Sequence, residues 1–256
     1  DRCRPDYAVA MLETIKHVFE VDNVNFVLVT NTDQLRASID HCYGQHDAQR
    51  YLDKFIAYSF SLPDIIPDNS NSPSNAALEH FKNLIIANDN LSKLSLLNQS
   101  HLQLLEQIIE VNHVSLREIE TLVLHIKIYV KLDGRPSLVN RNNAETLLIL
   151  LAIALFVMKP NIAKAIKGKA LDAESLAAFL GVSQLASSDG NSTYNIHLHV
   201  FAILALEATC NRDKYIPTEE QALQVFKNTW GAFFQNPWDD AFLPVCERAI
   251  KALSLE

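Results

Sequence analysis

The residue whose type and place in the chain best suit chemistry is Asn31. It follows Val24-Asn25-Phe26-Val27-Leu28-Val29, and the unbroken apolar run after Asn25 suits a parallel strand covered on both faces. Ligands of open α/β sheets bind just outside the carboxyl ends of such strands, where an amide can orient an attacking water. The same side chain can instead cap a helix beginning near Asp33, a role for which Thr30 and Thr32 compete. The remaining reactive types are less concentrated. His197-Leu198-His199 offers two imidazoles but no third ligand at a zinc-like spacing, so they read as helix-start or surface histidines. Cys3, Cys42, Cys210 and Cys246 are far apart, lack Cys-x-x-Cys spacing, and are expected to be reduced and partly buried. The densest cationic stretch, Lys159, Lys164, Lys167 and Lys169, has no interleaved aromatic residues and reads as a solvated helix face.

The elements that must position these residues can be read from periodicity. From Pro5, Ala8, Met11, Leu12, Ile15, Val18 and Phe19 fall at the three-and-four spacing of an amphipathic helix. After the apolar run, a second helix carries Leu35, Ile39, Cys42 and Tyr43 and stops at Gly44. The order is helix, strand, helix. Asp64 to Asn75 is rich in Asn, Ser and Pro and reads as a linker, beyond which the pattern is helical. Leu78, Phe81 and Ile85 mark one helix; Leu102, Leu105, Ile108 and Ile109 mark another. Ser115 with Glu118 three residues later forms a capping box ahead of a helix through Leu122, Ile126 and Val130. Ala144 to Met158 is apolar nearly all round and belongs at the centre of a bundle. A shorter helix near Glu174 to Leu180 is closed by Gly181, and Ser183 to Asn195 reads as a loop. Helices are expected at about 197–209, 219–234 and 240–253.

The front of the chain resembles the KAP family of P-loop NTPases. Asp1-Arg2-Cys3-Arg4-Pro5 matches the tail of the family's Leu-Asp-Arg-Cys motif, Val27-Leu28-Val29 matches the following strand, and Tyr51-Leu52-Asp53-Lys54-Phe55-Ile56 with Phe60-Ser61-Leu62-Pro63 matches the segment that closes its core. Past Pro63 the similarity rests mainly on Ser115-Leu116-Arg117-Glu118-Ile119-Glu120, which looks like the arginine-bearing helix that many such ATPases place after the core. The resemblance implies ATP binding and hydrolysis, with Mg2+, coupled to conformational change in the full-length protein. By analogy with AAA-like lids, Arg117 is a candidate second sensor, with a surface ion pair to Glu118 or Glu120 as its other reading. Asp1 and Arg2 would lie just past the catalytic strand at the nucleotide, where Arg2 can instead make a structural ion pair.

No Gly-x-x-x-x-Gly-Lys-Ser/Thr loop occurs in the sequence, and the family's magnesium carboxylate would precede Asp1. The expectation is a C-terminal fragment that neither binds ATP tightly nor hydrolyses it alone, with no cofactor of its own. The implied fold is mainly α: a short α/β remnant of a P-loop NTPase core over residues 1–66, then an all-α helical bundle over 67–256 acting as a lid or interaction domain. The alternative is that the bundle is a protein–protein interaction module with no chemistry, presenting an apolar patch around Trp230, Phe233, Phe234 and Trp238, which otherwise read as core. An uncovered front strand calls for a protein partner or self-association.

Composition narrows the partners. With a net charge of −8 the chain offers no nucleic-acid surface. Its longest apolar stretch, Leu147 to Met158, falls short of the roughly 20 residues needed to span a bilayer. The first residues do not form a signal peptide, so a cytoplasmic location is expected. Many KAP members carry membrane helices upstream, so the full-length protein can still be membrane-associated.

Overall fold

The computed structural model describes residues 3–16, 26–44, 47–60, 65–66, 74–92, 98–132, 143–185, 195–231 and 242–254. They divide into two compact units, Asp1–Pro63 and Asp64–Glu256, and the described residues are mainly α-helical.

The first unit holds three helices: α1 (Pro5–Lys16), α2 (Thr32–Tyr43) and α3 (Ala48–Leu52). Pro5 stands at the first helical position of α1, where its missing N–H costs nothing. Gly44 ends α2 with φ of 80°, in the left-handed region that glycine enters freely. Their common core is small: Ala8, Val9 and Leu12 from α1, Leu35 and Ile39 from α2, and Ala48 and Leu52 from α3. Much apolar surface stays in water, including Tyr7 and Met11 on α1 and Tyr58 and Phe60 after α3.

The expected front strand differs from the structure. Phe26–Thr30 form no strand, and Val29 is 96% exposed. A parallel strand exists only through hydrogen bonds to its neighbours. No strand among the described residues pairs with this segment, so the α/β remnant is not shown among them. The pattern of the run is that of a strand, but no strand among the described residues supplies the pairing that would make it one.

The second unit begins with a two-residue antiparallel pair, β1 (Ile65–Ile66) and β2 (Ser74–Asn75), inside the stretch expected to be plain linker. Then come α4 (Ala76–Ile86), α5 (Asp89–Ser92), α6 (Gln99–Asn112), α7 (Leu116–Leu132), α8 (Asn143–Met158), α9 (Pro160–Lys167), α10 (Ala173–Leu180), α11 (Ile196–Leu206), a single 3₁₀ turn at Arg212–Lys214, α12 (Glu220–Gly231) and α13 (Leu243–Ser254). As its composition requires, α8 sits at the centre: every residue from Thr146 to Leu155 is buried. It packs against α6, α7, α9 and α13. The run Val200–Ala205 of α11 is equally enclosed. On α13, Cys246 is fully buried, with its thiol turned toward the Leu148 carbonyl of α8 at 3.6 Å.

Side chains that close helix ends join the bundle together. The Ser115 backbone N–H and hydroxyl both donate to Glu118 Oε2, at 2.8 and 2.7 Å, and the Glu118 N–H returns to Ser115 Oγ at 3.3 Å, which is the expected capping box of α7. Across the bundle, Asn112 Nδ2 of α6 donates to the Phe179 carbonyl of α10 at 2.9 Å, and Gln107 Nε2 to that of Leu180 at 3.2 Å. Gly181 ends α10 with φ of 70°; a Cβ there would lie 2.5 Å from Val111 Cγ2, so both backbone and space require glycine. No helix among the described residues is long and apolar enough to cross a membrane.

Candidate functional site

Asn31 is the N-cap of α2. Its Oδ1 accepts from the backbone N–H groups of Asp33 at 3.1 Å and Gln34 at 3.0 Å, while its carbonyl accepts from Leu35 N–H at 3.0 Å. Extended backbone geometry at Asn31 (φ −80°, ψ 108°) aims the side chain at the helix start. The cap therefore belongs to Asn31 rather than to Thr30 or Thr32. The amide is exposed and its plane is fixed by two hydrogen bonds, with Nδ2 left to donate elsewhere.

Arg117 occupies the first turn of α7 and is exposed. Neither expected ion-pair partner engages it: Glu118 is committed to Ser115, and Glu120 Oε1 lies 3.4 Å from His80 Nε2 of α4. Asn31 and Arg117 belong to different units. Asp1 and Arg2 lie outside the described residues; just beyond them, Arg4 pairs with Asp6 at 2.8 Å on the surface.

His197 and His199 fall in the first turn of α11, as expected. Both are held below the ordinary histidine range by burial, so the neutral ring is favoured. His199 stacks edge-on against Trp230 at 5.0 Å between ring centroids, and Trp230 is itself buried beside Phe226. Trp230 is thus core, and Phe233, Phe234 and Trp238 lie outside the described residues. Among the described residues no group of three or more His, Cys, Asp or Glu could hold a metal ion. Lys164 and Lys167 stand in the last turn of α9, where the helix dipole favours cations, so that stretch is largely explained by its helix.

Three polar clusters went unread in the sequence because they join distant segments. In the first, the hydroxyls of Tyr43 and Tyr51 both donate to Glu13 Oε1, at 2.6 and 2.9 Å, tying α1, α2 and α3 together. The bond to Glu13 raises the Tyr43 hydroxyl above its ordinary range, while burial and then the Tyr43 contact raise that of Tyr51. In the second, Asp172 caps α10 and also accepts from Ser175 Oγ and Asn211 Nδ2, each at 2.6 Å. Those bonds hold its carboxyl below the usual range, and Lys214 pairs with Glu174 at 2.7 Å alongside. In the third, the carboxylate of Glu207, at the end of α11, accepts from the Phe242 and Leu243 N–H groups at 2.6 and 3.0 Å and so caps α13. Its half-buried position lifts its carboxyl above the usual range. Only the Asp-x-x-Ser pattern at 172–175 gave a local signal, that of a cap.

An open hollow of about 440 Å³ lies on α13 between Pro244, Glu247, Arg248, Lys251 and Ala252. Its charges are already matched, Arg248 to Glu145 at 2.7 Å and Lys251 to Glu247 at 2.6 Å, which makes it a surface depression with no free recognition group. ATP and Mg2+ need a loop of converging backbone N–H groups, a lysine, and a hydroxyl with a carboxylate. The sequence contains no Gly-x-x-x-x-Gly-Lys-Ser/Thr loop, so it does not itself supply that phosphate cradle.

Comparison with known proteins supplies the wider frame. The KAP family P-loop domain matches residues 1–132. The matched region includes Asn31 and the Ser115–Glu120 segment with Arg117, and stops where α7 does. No curated protein and no solved structure gave a match to the chain. With more than half its length covered by the family's own domain, the chain belongs to the KAP family of P-loop NTPases.

Proposed function

We propose that this chain is the C-terminal portion of a KAP-type ATPase, in which ATP binding and hydrolysis in the full-length protein are coupled to a conformational change, in the cytoplasm. The family match over residues 1–132 carries this reading, in a sequence with no phosphate-binding loop. On this reading the triphosphate and Mg2+ are held by residues outside this sequence, and the chain alone is inactive. Asn31 and Arg117 are the residues of this chain assigned to the nucleotide, with Asp1 and Arg2 beside the catalytic strand. Two features support the assignment. The cap bonds fix the amide of Asn31 while leaving Nδ2 to donate. The exposed guanidinium of Arg117 is held by neither Glu118 nor Glu120, so it can turn to an anion without first leaving either carboxylate.

The test is an ATP-binding titration of this chain beside a form extended upstream through a phosphate-binding loop. Turnover is then measured in the longer form for Asn31→Asp and Arg117→Ala. Asn31→Asp keeps the capping oxygen and removes the amide N–H, which separates chemistry from helix capping. Binding by the longer form alone, with turnover slowed by either substitution, is the expected result. Tight binding by this chain would overturn the fragment reading, and unchanged turnover in both variants would overturn the site assignment.

A further inference from the structure

α7 carries two apolar faces where an ordinary surface helix carries one. Ile119, Leu122, Val123, Ile126 and Tyr129 are buried against the bundle. Leu116, Leu124, Ile128 and Leu132 point the other way and are 50%, 53%, 37% and 46% exposed. Single exposed leucines are unremarkable, but these positions, with Glu120, fall on one row of i, i+4 spacing, the kind of ridge that packs into the grooves of another helix.

The charges along this face are arranged by end. Glu120 precedes Leu124 by one turn, and Lys127 and Lys131 follow on the same flank. A parallel copy would set acid on acid and lysine on lysine. An antiparallel copy, related by a two-fold axis between Leu124 and Ile128, sets each Leu124 against Ile128 and each Glu120 beside Lys131 of the other chain. Glu120 Oε1 lies 3.4 Å from His80 Nε2, yet its side chain is 61% exposed and open to a second partner. Arg117, nearer the start of the helix, passes beyond the overlap.

We propose that the outward face of α7 joins two copies of this chain in an antiparallel, self-complementary contact built on Leu124, Ile128, Glu120 and Lys131. The contact is independent of the ATPase reading. One helix face is smaller than the roughly 1,200 Å² of total buried surface at which stable interfaces begin, so the association is weak and concentration-dependent. The net charge of −8 on each copy opposes it at low ionic strength, which sets physiological salt as the condition for measurement.

Sedimentation velocity of the whole chain, from low to high micromolar concentration, tests the contact. A monomer–dimer equilibrium is expected, abolished by Leu124→Glu and weakened roughly tenfold by either Glu120→Lys or Lys131→Glu. The double variant Glu120→Lys/Lys131→Glu is expected to restore the dimer, because each reversed charge again meets its opposite across the two-fold axis. All these positions are exposed, and circular dichroism checks that the helices persist. A monomer at every concentration would overturn the proposal. So would a dimer indifferent to these changes, or one that the double reversal does not rescue. Binding of the face to anionic phospholipid vesicles or to an acidic helical peptide, without self-association, would assign it to another occupant.

Discussion

The two units solve the burial of apolar side chains unequally. In the helical unit α8 is enclosed by four other helices, and its apolar character on every side is what a central position demands. In the front unit, three short helices share a handful of small and medium side chains, while Phe26–Val29, Tyr58 and Phe60 remain in water. A small unit buries a lower fraction of its surface, so the same substitution has different consequences in the two places. The comparison teaches that the helical unit contains its own core, whereas the front unit carries side chains suited to a sheet that the described residues do not form.

The largest expected effect tests the helical unit. Phe81→Ala empties a fully buried position on α4 and should cost about 3–5 kcal/mol, read as a shift of the main urea unfolding transition. Leu52→Ala in the front unit should instead melt α1–α3 locally and leave that transition in place. A single transition moved equally by both would erase the distinction. Next, Glu207→Ala strips α13 of its cap and leaves the Phe242 and Leu243 N–H groups without their acceptor, for about 2 kcal/mol in chemical denaturation. Ser115→Ala is smaller, about 1 kcal/mol, because the capping box is exposed.

The smallest effect is a pH dependence of opposite sign at two carboxylates. Hydrogen bonds from Ser115 lower the folded pKa of Glu118, so its contribution is present above the unfolded value near 4.5 and is lost as pH falls through the lower folded one. Burial raises the folded pKa of Glu207, so stability falls as pH rises from the unfolded value near 4.5 through the folded one. Denaturation midpoints between pH 3 and pH 7 should therefore lose the first dependence in Ser115→Ala and the second in Glu207→Gln. A profile unaltered by either substitution would remove these two groups from the account.

What was legible in the sequence was local. The Ser115–Glu118 box, the glycines at 44 and 181, the proline at the start of α1 and the apolar run of α8 each act over a few residues, and each is found where its pattern placed it. What escaped notice was long-range. Nothing near Glu13 announces that two tyrosines from α2 and α3 will meet on its carboxylate, and nothing near Glu207 announces that it will cap a helix starting some 36 residues later. The strand expected at Val24–Val29 is not found over its described part, Phe26–Val29, for a third reason: periodicity reports which residues could be buried in a sheet, but only neighbouring strands can bury them. The same limit applies to the candidate site, where the cap at Asn31 follows from its own turn, whereas the nucleotide roles proposed for Asn31 and Arg117 depend on partners beyond it.

The buried thiol of Cys246 has a practical consequence. Desolvation pushes it up to about 12, and complete burial shields it from reagents, whereas Cys3, Cys42 and Cys210 are exposed. Three cysteines should therefore accept an alkylating label at once in the native protein, and the fourth only when the helical bundle opens. The time course of that last modification would read out the opening rate of the bundle without any engineered probe, and mass spectrometry could follow it in the presence of whatever binds this chain.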